Sequence, residues 1–471
     1  MLRRSGLLFL LVWVYSMNAF AVDSVGSMMT EWVDSVYNSM SIEQKIGQLI
    51  VAKNDSPQLL DLLNKTDISI GGLFLPQGNA NEILSKANRL KEKQVVPFLT
   101  IYSHSGKFDE FFPGSLPYTS VVTKSSITDI DFVQQLGKME ATVNKKLGIN
   151  VTTENAISLE IVHGEFLVNE NTPLAYSKSR ELIRINNGIL REAGMLNSIY
   201  LDLSLFNYDF IKYIPKSVYK SDDWEMLKDD YSIVFVNSLD FKNGWSAAKF
   251  EKEIVKGLLR NKFDFEGILA AEVDNIFHEL SGQTKYEAIE VELINAGFDL
   301  VITSNPVQAY KNLLYAYKKK VLKNPDLEGR IKNILAKKYF LAAGHMPDNK
   351  AVKDYYEIIN SPEANNNIYE SLAQSVTLLK NDSDLLPFRH IETTNFASLM
   401  VGNDELSPFQ NTLDKYAPFT HFVLPTNDLN PEAFSNLVKK LSAFDNVVVG
   451  IHAPFNDRIL DLLLQLEQGT N

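Results

Sequence analysis

Paired carboxylates are the residues of this chain best suited to chemistry. Glu272 and Asp274 stand two apart at the end of an apolar run, Ile268–Ala271. Asp202 and Asp209 follow a similar run further upstream. Two carboxyl groups held together can divide acid and base, or acid and nucleophile, between them. Each pair also has a plainer reading, Asp274 as a helix or turn cap and Asp202 and Asp209 as solvated turn residues. The seven histidines, His104, His163, His278, His345, His390, His421 and His452, are scattered. None has i, i+4 ligand spacing or lies in an H-E-x-x-H context, so no metal site is expected. Ser217 and Lys220 fit S-x-x-K, but no S-D-N or K-T-G element accompanies them. The chain has no cysteine, which removes disulfides, thiol nucleophiles and zinc–thiolate sites. No glycine-rich phosphate loop is present, and no cofactor is expected.

The elements that must position such residues alternate along the first two thirds of the chain. Ser41 reads as the N-cap of a helix with Glu43 and Gln44 in its first turn and Ile46, Leu49 and Ile50 as its apolar stripe. Seven apolar runs then read as buried strands: 68–75, 95–102, 149–158, 198–205, 232–236, 267–272 and 299–303. Amphipathic helical stretches lie between them, at 81–93, 129–147, 177–193, 247–261, 285–296 and 307–322. This alternation predicts a TIM-like (β/α) barrel, with a doubly wound sheet as the alternative. Residues 346–367, with Pro347, Pro362 and three consecutive asparagines, read as a linker between a barrel domain over 22–345 and a second α/β domain over 368–471. The second domain reads as an incomplete α/β sandwich, because its terminal helix has no following strand.

Residues 1–21 carry Arg3 and Arg4, an apolar stretch from Gly6 to Tyr15, and the A-x-A site Ala19-Phe20-Ala21. This is the pattern of a cleaved signal peptide, so the expected location is periplasmic or extracellular, with no transmembrane anchor. With 46 Lys+Arg against 58 Asp+Glu, the formal charge of −12 argues against nucleic acid or anionic membrane as the main partner.

Several collinear segments resemble glycoside hydrolase family 3, especially its β-N-acetylglucosaminidase-like branch. Met40–Leu49 is similar to that family's MTLEEKIGQL opening, and Gly71–Phe74 with Gln77-Gly78 and Asn88–Leu90 to its GGIIFFQG…NRLQ stretch. Val96–Ile101, Phe112-Pro113, Leu147–Asn150, Phe265–Ile268, Asn295–Asp299, Ser375–Asn381 and Leu386-Pro387 continue the match in order. The resemblance implies a TIM-like barrel followed by an α/β sandwich. It also implies a retaining glycosidase acting on a β-N-acetylglucosaminide or β-glucoside, with carbohydrate, such as a peptidoglycan fragment, as partner. In a retaining mechanism one carboxylate attacks the anomeric carbon and a second group protonates the leaving oxygen.

The same alignment places Glu272 at the nucleophile position, where the family has Asp, so the side chain is one methylene longer. The sugar-binding acids fall on Tyr102 and Ser158, and the Lys-His pair on Tyr200 and Leu201. His104, beside Tyr102, is a further substrate-side candidate. With these polar positions lost, the resemblance implies a catalytically impaired or inactive hydrolase. The alternative is a non-catalytic glycan-binding or scaffolding pseudoenzyme of the cell envelope.

Overall fold

The computed structural model describes residues 26–53, 59, 63, 68–92, 94, 96–104, 108–154, 159–162, 165–168, 176–202, 228, 231–237, 251–262, 264–273, 288–322, 327–343, 353–381, 384–425, 431–452, 460 and 463–466. They form two compact units, Met1–Val376 and Thr377–Asn471.

The first unit is built on a closed barrel of eight parallel strands. In chain order these are β1 (Ile50–Ala52), β2 (Gly72–Phe74), β3 (Leu99–His104), β4 (Val151–Glu154), β7 (Leu196–Asp202), β8 (Ile233–Asn237), β9 (Ile268–Glu272) and β10 (Leu300–Thr303). The ring closes where β1 pairs with β10, Ile50 beside Val301 and Ala52 beside Thr303. An antiparallel hairpin, β5 (Leu159–Val162) and β6 (Glu165–Val168), follows β4 and stays outside the ring. Seven of the barrel strands fall on the runs read from the sequence. The eighth, β1, does not: Leu49 and Ile50 extend the apolar stripe of the preceding helix and so hide a three-residue strand. That helix ends at Gly47, after the expected cap at Ser41, whose hydroxyl accepts from the Gln44 N–H while the Gln44 side chain returns to the Ser41 N–H.

Polar side chains clamp the strand entries at the N-terminal end of the barrel. The fully buried Gln48 donates to the Ser69 carbonyl and hydroxyl, and Ser69 in turn donates to Gln94, so the entries to β1, β2 and β3 are joined. Lys338, also fully buried, donates to Gln48 Oε1 at 2.6 Å. Asn150 accepts from the Thr100 N–H and donates to the Phe98 carbonyl, tying β4 to β3. Asn197 accepts from the N–H and hydroxyl of Ser232, tying β7 to β8. Asp299 accepts from the Leu269 N–H and pairs with Arg260 at 2.9 Å, while Arg260 also donates to the carbonyls of Phe265 and Gly267. These groups satisfy backbone polar atoms that would otherwise be buried without partners. Glycine serves the same end of the barrel: a Cβ on Gly72 would lie 2.4 Å from the Leu99 carbonyl oxygen.

Of the expected linker 346–367, the described part, residues 353–367, packs largely as helix instead. Tyr355–Ile359 and Pro362–Ser375 are helices of the first unit. Tyr356 and Asn360 bond to the loop at Pro113 and Gly114, and Tyr355 receives a bond from Asn88. The division between units falls after Val376 instead.

The second unit carries a three-stranded parallel sheet in the order β12 (Phe419–Leu424), β11 (Phe396–Val401), β13 (Asn446–Ile451). Its small core is Ala397, Leu399, Val401, Leu424, Leu441 and Leu466. At the start of this unit Leu379 is 93% exposed, and residues 377–381 carry no strand.

Candidate active site at the barrel mouth

Side chains alternate between the two faces of each strand, so register decides which ones enter the barrel. The in-facing set at the C-terminal end follows from the pairing. Phe74 on β2 and Phe235 on β8 meet edge to face, with ring centroids 6.2 Å apart. These strands stand on opposite sides of the ring, so the two rings span the interior. Tyr200 on β7 packs against Phe235 at 5.2 Å and completes an aromatic layer across the barrel.

Glu272 ends β9 beside this layer and is 7% exposed. Its Oε2 lies 2.8 Å from the ammonium of Lys53, the residue just after β1. The Tyr200 hydroxyl donates to Oε1 at 3.4 Å. Both carboxylate oxygens are therefore engaged, one by a cation and one by a phenol. The carboxylate is largely shielded from water, while the Lys53 side chain stays 23% exposed. Lys53 belongs to none of the resembling segments and was not singled out by sequence. The signal lay in the parity of β1: Val51 faces inward, so Lys53, two residues on, does too.

Tyr102 does not enter the mouth. It is out-facing on β3, 1% exposed, and boxed in by Phe108, Phe111 and Phe112 at ring distances of 5.1, 4.6 and 5.9 Å. Burial pushes its phenol pKa well above the ordinary value, with Glu140 and Asp109 adding to the effect. The sugar-binding position assigned to Tyr102 is thus a core tyrosine behind the barrel wall. Of the other expected site residues, Ser158 lies outside the described residues, as do Asp274, Asp209, Ser217 and Lys220. His104, Leu201 and Asp202 are placed only by their backbone, as the last residue of β3 and the last two of β7.

One other cluster has the look of a nucleophile with its base. In the second unit the Ser398 hydroxyl lies 2.7 Å from His421 Nδ1, and His421 Nε2 lies 3.0 Å from Asp414. Ser398 is fully buried in mid-strand and accepts a bond from Gln410, so no substrate can reach it. The cluster ties the sheet to the helix Pro408–Leu413. Among the described residues no group of three or more His, Asp or Glu is placed to hold a metal ion.

No family model matches the chain. One curated protein, named "Putative beta-xylosidase", from Formosa agariphila, is 29% identical over 181 residues, 36% of this chain. The match spans 22% of that protein's length. Solved structures resemble far more of the chain. A beta-glucoside phosphorylase, BglX, aligns over 91% of this chain and 83% of its own, with TM-score 0.63 and 17% identity. A glycoside hydrolase family 3 β-N-acetylglucosaminidase from Paenibacillus sp. str. FPU-7 aligns over 92% and 89%, with TM-score 0.63 and 14% identity. An exo-1,3/1,4-beta-glucanase, ExoP, from a Pseudoalteromonas species aligns over 92% and 84%, with TM-score 0.63 and 14% identity. Such likenesses, the closed eight-stranded barrel and the parallel sheet that follows it together give this chain the fold of the glycoside hydrolase family 3 enzymes.

Proposed function

We propose that this chain is a glycosidase-like protein that binds a β-linked saccharide at the barrel mouth and turns it over poorly or not at all. The observation that carries the reading is the double engagement of Glu272. In a retaining reaction a carboxylate at this position must offer a free oxygen to the anomeric carbon. Here attack would first break the contact with Lys53 or with Tyr200. The extra methylene of Glu relative to Asp moves the oxygens by about one bond length, and a misplacement of that size costs on the order of 100-fold in rate.

The aromatic layer supports binding without turnover, because rings flanking a polar group suit the apolar faces of a sugar. By resemblance the ligand is a β-N-acetylglucosaminide or a β-glucoside, and the protein acts outside the cytoplasm once its leader is removed. Whether it hydrolyses or only holds the glycan is decided by one comparison. Wild type and Glu272→Ala are incubated with chromogenic β-N-acetylglucosaminide and β-glucoside, with calorimetry on the unlabelled oligosaccharides. Binding without release of chromophore in either protein is the expected result. Release that disappears in Glu272→Ala would show a working nucleophile and overturn the impaired reading.

A further inference from the structure

Behind the barrel wall lies a second cavity, separate from the mouth, of about 40 Å³, lined by aromatic and aliphatic side chains together with a few polar ones. Its inner side is the outer face of β3 and β4, at Tyr102 and Thr152, which pair in register. Its outer side is the helix Ile130–Leu147, at Gly137, Glu140, Ala141 and Asn144. Lys124 and Glu140, paired at 2.6 Å, also line it, and their side chains are 15% and 18% exposed.

Two atoms of its lining residues set its chemistry. Thr152 Oγ1 and Asn144 Oδ1 are buried and have no hydrogen-bond partner among the described residues, their own residues being 8% and 7% exposed. An orphaned buried polar atom costs stability unless something answers it. The Asn144 carbonyl asks for a donor, the Thr152 hydroxyl can give or take a proton, and the Glu140 carboxylate, already paired with Lys124, can accept a further bond. Water meets both unmet demands, whereas an apolar guest would leave Thr152 and Asn144 unanswered. A cavity needs roughly 10–15 Å³ to hold one water, so this one has room for about three.

We infer that this cavity is a built internal hydration site, in which ordered water bridges Thr152 of the barrel wall to Asn144 and Glu140 of the covering helix. The water joins β4 to the helix before it through contacts that the side chains alone do not reach. Tyr102 then serves as the aromatic wall of a hydrated chamber. The partly exposed Lys124–Glu140 pair gives solvent its way in.

A crystal structure of the whole chain, at a resolution that shows ordered solvent, tests this together with Thr152→Val. The substitution keeps the shape and removes the hydroxyl. The expected result is solvent density within hydrogen-bond reach of both Thr152 Oγ1 and Asn144 Oδ1. In Thr152→Val the peak at residue 152 should be lost or shifted, with an unchanged or lower Tm. If the cavity is dry, no density is seen, and removing an orphaned hydroxyl raises Tm by about 2 °C or more. Either of those two findings overturns the inference.

Discussion

The two ends of the barrel carry polar groups of opposite design. At the N-terminal end Gln48, Ser69, Asn150, Asn197, Arg260 and Asp299 each bond to backbone or to one another, clamping strand to strand. At the C-terminal end Lys53, Tyr200 and Glu272 bond to one another through their side chains and sit beside an aromatic layer. The segments that resemble family 3 hold half of the first set, together with glycines at the same end of the barrel. Gln48, Gly71, Gly72, Asn150, Gly267 and Asp299 all belong to them, and each has a packing or backbone-bonding task. In barrels of this type conservation at the N-terminal face speaks to stability and chemistry sits at the other face. The resemblance is thus strongest where it reports the fold and weakest where it would report the reaction.

Substitutions can break or sharpen that contrast. The largest effect is expected at the clamped end. Asp299→Ala leaves Arg260 without its carboxylate and the buried Leu269 N–H without an acceptor, and should cost about 3–5 kcal/mol. A urea titration followed by tryptophan fluorescence measures it. A loss no greater than that at the mouth would erase the distinction between the two ends.

Lys338 provides a pH-dependent version of the same test. Burial pulls its pKa from 10.5 down to about 7 in the fold, whereas the unfolded chain keeps the ordinary value. Between pH 7 and 10.5 the unfolded state therefore binds more protons, and stability rises with pH across that window and flattens below it. The slope should reach about 1 kcal/mol per pH unit, and Lys338→Met should abolish it without a large loss at neutral pH. Unfolding titrations of both proteins at pH 7, 8, 9 and 10 would show parallel lines if the lysine titrated normally.

At the mouth Glu272→Gln removes half of an ion pair whose other member can still reach water. The expected cost is about 1–2 kcal/mol, with a change in glycan affinity larger than the change in stability. The smallest effect belongs to Tyr102→Phe. It should move stability by less than about 1 kcal/mol and leave glycan binding unaltered, since the ring stays among Phe108, Phe111 and Phe112. Weakened binding in that variant would return Tyr102 to the site.

These residues also show what could be read from sequence. Long apolar runs such as Gly267–Glu272 declared themselves as strands because both faces of a barrel strand are covered, and the cap at Ser41 was visible in its side-chain chemistry. β1 was not visible, since three residues that prolong a helical stripe give no period of their own. Losing β1 meant losing Lys53, whose place depends on that strand's register. Tyr102 was matched to a sugar-binding position because alignment compares positions along a strand and carries no statement of which face a side chain takes. The aromatic run Phe108, Phe111, Phe112 was the available sign that a large apolar box stood ready to receive it.

The closure of β1 onto β10 has a consequence in time. Ile50 waits for Val301, about 250 residues further along the chain, before its free edge is paired. At the usual pace of roughly 5–20 residues per second, a ribosome takes on the order of 10–50 s to supply that partner. Throughout that delay the edge of the first strand away from β2 is open, a ready template for a foreign strand. A strand of only three residues, Ile50–Ala52, keeps the hazard small, because so short an edge can grip a stranger at few points.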